Sequence, residues 1–261
     1  MHRQFALLIL VFFSCSNRTG DIVIAGSTSV QPFIEKLAEE FMAKKPHVKI
    51  NVQGGGSTAG IQAVFNRTCA IGTSSRHLHP EEQGLHQFVM AIDGIAIVVH
   101  PSNPVSNLSH EQLRDIFAGK ITNWKEVGGR NEKIFAVTRE EGSGTRGAFE
   151  ELIMHETAIS DACLVQDSNG AIREIVATTP QAIGYISAGL VDHRVKALAI
   201  DSVSPTMENY KNGHYKFIRP FLLLTLEEPK GLIKEFIDYV LSEEAQEILR
   251  REGLIPINFI K

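Results

Sequence analysis

Asp21-Ile22-Val23-Ile24-Ala25-Gly26-Ser27-Thr28-Ser29-Val30-Gln31-Pro32-Phe33-Ile34 decides how this chain reads: an apolar strand runs into a hydroxyl-rich turn, and a helix begins directly after it. Asp21 to Ala25 is short and rich in β-branched residues, as a buried strand is. Phe33, Ile34, Leu37, Phe41 and Met42 then recur at helical spacing within Val30 to Lys45. The pattern repeats at once, with a strand over Val48 to Val52, a glycine-rich turn over Gly54 to Thr58 and a helix over Ala59 to Phe65. Strands alternating with helices predict βαβ units and a mostly parallel sheet.

Farther along, Phe88 to His100 is apolar except for Asp93-Gly94, and is expected to carry the chain out of a first lobe. Pro101, Ser102, Asn103 and Pro104 mark a loop, and Ser109-His110-Glu111-Gln112 has the form of a capping box for a helix through Phe117. A further strand, turn and helix are expected over Lys133 to Thr138, Glu140 to Gly144 and Thr145 to His155, then a helix over Asn169 to Ala177 and a strand over Ala182 to Ser187. Phe217 to Thr225 is the natural return crossing. Lys230 to Glu252 reads as two helices divided at Ser242, whose hydroxyl can cap the second. The expected architecture is two α/β lobes joined by two crossings, one lobe from residues 21–97 plus 218–261 and the other from 98–217.

The chain starts with the polar Met1-His2-Arg3-Gln4, continues without a polar side chain from Phe5 to Phe13, and then reads Ser14-Cys15. That order describes an export signal; the apolar run is well short of the ~20 residues of a spanning helix. Residues 1–20 are therefore expected to be signal plus a short polar tether. The remainder of the 261-residue chain can bury a core in each of two modest domains. Only Cys69 and Cys163 remain beyond Cys15, too few for a disulfide framework, and both are expected as buried apolar residues. A formal net charge of -4 leaves no basic footprint for nucleic acid. Any anion bound here must be held by local geometry rather than by bulk attraction.

Three strand-to-helix turns carry hydroxyls and glycines where a helix begins: Gly26-Ser27-Thr28-Ser29, Gly54-Gly55-Gly56-Ser57-Thr58 and Gly142-Ser143-Gly144-Thr145. Unpaired N–H groups and the positive end of the helix dipole favour anions there, and serine or threonine adds an O–H donor. One such turn is more often an ordinary helix cap. Three in one chain, with Arg139 ending the strand before the third, point to a tetrahedral anion gripped by a planar guanidinium. Arg139 could instead form a surface ion pair with Glu140 or Glu141. No G-x-S-x-G elbow or G-x-x-x-x-G-K-[ST] loop is present, and no acid follows Gly54-Gly55-Gly56 at the spacing a dinucleotide site needs. No enzyme, cofactor or metal is expected, and His77 and His79 lack further ligands at zinc spacing.

Ile24 to Pro32, Gly54 to Gly60, Ile71-Gly72-Thr73-Ser74-Ser75-Arg76, Gly119-Lys120-Ile121-Thr122-Asn123-Trp124 and Arg139-Glu140-Glu141-Gly142-Ser143-Gly144-Thr145-Arg146 together resemble, in order, the phosphate-binding proteins of bacterial phosphate ABC transporters. The resemblance implies a two-lobed periplasmic-binding-protein fold of type II-like form, closing on inorganic phosphate between its lobes. It makes Thr28, Ser29, Ser57, Ser143, Gly144 and Thr145 donors, Arg139 the charged clamp and Glu141 the carboxylate that orients it, with Ser75 and Arg76 also at the ligand. Gly119 to Trp124 has no ligand role in this reading and is expected to serve the fold. Many relatives carry an aspartate where this chain has Ser75, so phosphate over sulfate rests on the whole match rather than on that residue. Cys15 resembles a lipid-attachment cysteine, although Phe12 stands where an aliphatic residue is usual. The implied protein is an exported, lipid-anchored monomer at the outer face of the cytoplasmic membrane or in the periplasm, partnered by permease and ATPase subunits. A binding protein for sulfate or molybdate, or a phosphate-sensing surface module without a transporter, are the alternatives.

Overall fold

A computed structural model of the chain describes residues 20–259. The expected export signal and Cys15 lie outside the described residues. Gly20, expected at the end of the tether, is instead the first residue of a strand.

The chain opens with β1 (Gly20–Gly26), α1 (Gln31–Lys44), β2 (Val48–Gly54), α2 (Ser57–Phe65) and β3 (Ile71–Ser74). β1 pairs in parallel with both β2 and β3, as two βαβ units require. There follow β4 (His86–Val99), β5 (Asn107–Leu108), α3 (His110–Phe117), β6 (Phe135–Arg139), α4 (Gly144–Phe149) and β7 (Leu164–Gln166). Next come α5 (Asn169–Thr178), β8 (Ala182–Ser187), β9 (Lys196–Ala197), β10 (Ala199–Ile200) and α6 (Met207–Lys211). β11 (Ile218–Thr225), α7 (Gly231–Val240) and α8 (Glu243–Arg251) complete the order. β6 is parallel to β7 and β8, which repeats the parallel pattern of the first half.

Local chemistry sets several of these boundaries. The Ser109 hydroxyl accepts from the Gln112 N–H at 3.0 Å while the Gln112 side chain accepts from the Ser109 N–H at 2.9 Å, so α3 starts in a closed capping box. Ser242 accepts from the Ala245 N–H at 3.4 Å, with Glu243 and Glu244 in the first turn of α8. The helix expected through His155 is α4 followed by a π-helical turn over Glu150–Met154. Trp124 from the Gly119 to Trp124 motif is buried, and its indole N–H donates to the Gln181 carbonyl at 2.9 Å. That motif therefore anchors the fold.

Asp93-Gly94 does not interrupt the apolar stretch: β4 runs straight through it. From His86 to Gly94 it pairs antiparallel with β11, and from Ile95 it pairs antiparallel with β8. β4 is thus the strand shared between two halves of one continuous sheet, with β11 beside its first part; the order is β2-β1-β3-β11-β4-β8-β6-β7, with β9 beside β4. Glycine is needed at 94 because the Tyr210 hydroxyl lies where a Cβ would be, at 2.4 Å. One half packs Phe33, Leu37, Phe221, Phe236 and Leu249 on one sheet face and Ile61, Val64, Leu222 and Leu224 on the other. The other half buries Phe117, Trp124, Phe149 and Tyr185 on one side and Val137, Ile172, Val176 and Ile186 on the other. α7 and α8 close the first of these cores, as the fold-back of the C-terminal helices requires. Among the described residues Cys69 and Cys163 form no disulfide, and both are buried, 9% and 7% exposed. No helix among the described residues is long and apolar enough to cross a membrane.

Candidate functional site

The three hydroxyl turns come together from opposite halves. The Ser29 and Thr145 hydroxyls are 2.7 Å apart, and the Thr58 N–H donates to the Gly142 carbonyl at 3.1 Å. Gly144 explains itself by proximity: a Cβ there would lie 2.2 Å from Ser57 Oγ and 2.6 Å from Ser75 Oγ. Only a residue without a side chain lets the third turn approach the other two so closely. The hydroxyls also organise one another. Ser27 Oγ accepts from the Ser29 N–H and donates to Ser75 Oγ at 2.9 Å, and Ser57 Oγ accepts from the Ser75 N–H at 3.1 Å. Ser143 caps α4, accepting from the Arg146 N–H at 3.2 Å.

Arg139 stands at the centre, 1% exposed, and the ion pair with Glu140 that the sequence offered is present, with the guanidinium buried. Its Nε and Nη2 donate to the two carboxylate oxygens of Glu140 at 2.8 Å each. Nη2 also donates to Thr28 Oγ1 at 3.2 Å and to the Asp167 carbonyl at 3.0 Å, and Nε to the Gln166 carbonyl at 3.2 Å. Nη1 is buried and has no partner among the described residues. An unpaired donor on a buried guanidinium is costly unless an acceptor joins it.

Two expected residues sit elsewhere. Glu141 is exposed, and the carboxylate that orients Arg139 belongs to Glu140, because the chain turns immediately after β6 and leaves the adjacent acid beside the guanidinium. Arg76 is buried, but its donors are committed: Nη1 and Nη2 grip the Glu82 carboxylate at 2.6 and 2.7 Å, Nη1 also meets the His77 carbonyl and Nη2 the Thr58 hydroxyl. Against the cost of burial, those Arg76 bonds hold the Glu82 carboxyl below its usual range. Arg76 therefore braces the second turn from behind, with both terminal nitrogens of its guanidinium engaged. Thr28, Ser29, Ser57, Ser75, Arg139, Gly144 and Thr145 are brought together, and Ser143 adjoins Gly144 with its hydroxyl oxygen capping α4. Among the described residues no three His, Cys, Asp or Glu side chains gather to hold a metal ion.

Three contributors were missed by the sequence reading. Arg219 on β11 lies opposite Asp93 on β4 in strand register, and both are buried. Its Nε and Nη2 donate to Asp93 Oδ2 at 3.0 and 2.9 Å, Nη1 to the Ser75 carbonyl and Nη2 to Ser29 Oγ at 3.3 Å each. Burial pushes the Asp93 carboxyl up and the Arg219 guanidinium down, against their mutual attraction; Arg139 lies near enough to add like-charge repulsion to Arg219. The third is Asn169 at the start of α5, 1% exposed, whose Nδ2 donates to Ser29 Oγ at 2.8 Å. A signal was present for the pair: one acid and one base, each alone inside an apolar crossing strand, is the pattern of charges that must meet. Asn169 carried none, since its position reads equally well as a helix start.

A family model described as a PBP superfamily domain matches residues 15–244. The chain is 36% identical over 249 residues to the phosphate-binding protein PstS of Bacillus subtilis (strain 168), covering 93% of this chain and 83% of that protein. It is 30% identical over 270 residues to the PstS protein of Borreliella burgdorferi, covering 97% and 96%. Among solved structures, a putative phosphate ABC transporter substrate-binding protein from Clostridium perfringens with bound phosphate superposes at TM-score 0.88 and 44% identity, over 91% of this chain and 100% of that one. An ABC-type phosphate transport receptor from Vibrio cholerae gives 0.75 and 42%, over 90% and 99%.

Proposed function

The chain belongs to the PstS-type phosphate-binding proteins of the PBP superfamily, and on that premise we propose that it captures inorganic phosphate between its two halves and delivers it to the permease and ATPase subunits of an ABC transporter. It is a binding protein, as its relatives are named, and not an enzyme. The observation that carries the phosphate reading is the Arg139 guanidinium, wholly buried and with Nη1 unpaired among the described residues, beside hydroxyls from three turns. In this reading Thr28, Ser29, Ser57, Ser75, Ser143, Gly144 and Thr145 surround the anion while Arg139 supplies the charge. The lobes are residues 21–97 with 218–261 and residues 98–217, and β4 and β11 are the strands about which they close.

The protein without residues 1–20 should bind orthophosphate at one site per chain. Sulfate should bind weaker by about a hundredfold or more, since a site that hydrogen-bonds a ligand's O–H rejects the analogue lacking it. Ser75 Oγ accepts from Ser27 and contacts Ser57 Oγ at 3.5 Å, and a hydroxyl oxygen can accept a ligand's proton without repelling a fully ionised anion as a carboxylate would. Calorimetry with phosphate, sulfate and molybdate tests the reading, and equal sulfate binding, or no phosphate binding, would overturn it.

We place the protein on the outer face of the cytoplasmic membrane or in the periplasm, held as a monomer by lipid on Cys15, from the signal-like segment that precedes that cysteine. In cells, Cys15→Ala should move the protein from the membrane fraction to the soluble one. Unchanged partitioning would show that the anchor lies elsewhere.

A further inference from the structure

Resting on the phosphate reading, we propose that Asn169 is a positioning residue that fixes the direction in which the Ser29 hydroxyl donates, and so the donor polarity of the closed cleft. A hydroxyl oxygen offers two lone pairs and one proton. Both lone pairs of Ser29 are engaged, by Asn169 Nδ2 at 2.8 Å and by Arg219 Nη2 at 3.3 Å. The proton therefore points the only remaining way, to Thr145 Oγ1 at 2.7 Å. Thr145, having accepted, holds its own proton free for an anion.

The amide cannot be turned round. Asn169 Oδ1 accepts from the Ser187 backbone N–H at 3.0 Å, and a backbone N–H can only donate, so the NH2 end must face Ser29. Arg219 is fixed likewise, because a guanidinium can only donate and its Nε, Nη2 and Nη1 are anchored by Asp93 and the Ser75 carbonyl. The result is a one-way chain, Asn169 to Ser29 to Thr145, in which each bond polarises the next. Asn169 and Thr145 come from one half of the molecule and Ser29 from the other, so the chain exists only when the halves are together. A polarised hydroxyl relay thereby favours a closed cleft that holds an acceptor-rich ligand.

The test uses Asn169→Asp, which keeps the acceptor for the Ser187 N–H and replaces only the donor facing Ser29 with an acceptor. Ser29 would then donate backwards, and phosphate affinity at neutral pH should fall about tenfold or more, the loss of one donor and the reversal of another. A new carboxylate could also act by plain repulsion, so the same change is made in a Ser29→Ala background. Action through the hydroxyl predicts a change below about twofold there, and repulsion predicts the full loss. Asn169→Ala provides an uncharged version of the same cycle should the aspartate variant fold poorly, with several-fold loss expected in the parent and almost none with Ser29→Ala. Equal losses in both backgrounds, or none in the parent, overturn the proposal. A parent that binds no phosphate overturns the phosphate reading and takes this inference with it.

Discussion

Arg139→Ala should weaken phosphate binding by about 2 to 5 kcal/mol, the range measured when one partner of a buried charge pair is truncated, or roughly thirtyfold to a few thousandfold in Kd. An anion enclosed between two halves of a protein gives up its water, and that loss must be offset by hydrogen bonds and opposite charge. Neutral donors such as Ser57 and Thr145 contribute about 0.5 to 1.5 kcal/mol each, and charge-assisted bonds about 1.5 to 3. The Arg139 guanidinium is already held by Glu140, Thr28 and two carbonyls, so it meets the ligand preorganised. Arg139→Lys keeps a charge but loses the planar fork, and should recover only part of the affinity. Calorimetry beside thermal unfolding of the ligand-free proteins separates affinity from fold. Binding within twofold of the parent would remove Arg139 as the clamp; Arg219 would then be the next cation to test, since Arg76 is spent on Glu82.

The largest effect on stability is expected at Asp93. Its partner Arg219 is 2% exposed, and Asp93→Ala would leave that guanidinium in the sheet between the two halves without a carboxylate. Removing one member of a buried pair costs about 3 to 5 kcal/mol, which for a chain of this size lowers Tm by on the order of 10 °C. Replacing both residues, Asp93→Ala with Arg219→Met, should restore much of that loss, because the desolvated charge goes with its partner. Thermal unfolding without ligand measures all three. A single variant within about 1 kcal/mol of the parent would show that water reaches the guanidinium and that the pair is not a closed ion pair.

Much of the site was legible because anion chemistry is local. A glycine and hydroxyl turn at the start of a helix needs only neighbouring residues to be recognised, and the turns at Ser27, Ser57 and Ser143 lie where strand meets helix. Arg139 could be named because it ends the strand before such a turn. What failed was side-chain direction. Glu140 and Glu141 are adjacent, and which one faces the guanidinium depends on how the chain leaves β6. Arg76 looked free until folding set Glu82 beside it.

Periodicity and capping are short-range, so the sequence by itself determined the alternation of strands and helices, the capped starts at Ser109 and Ser242, and the two apolar crossings. Pairing across the sheet is long-range. Only the tertiary structure could put Arg219 opposite Asp93, 126 residues apart, and Asn169 against Ser29, 140 residues apart. The lone charges at 93 and 219 show that each needs a partner but not which one, because pairing between β4 and β11 is set only when the sheet forms; Asn169 meets Ser29 only when the two halves come together.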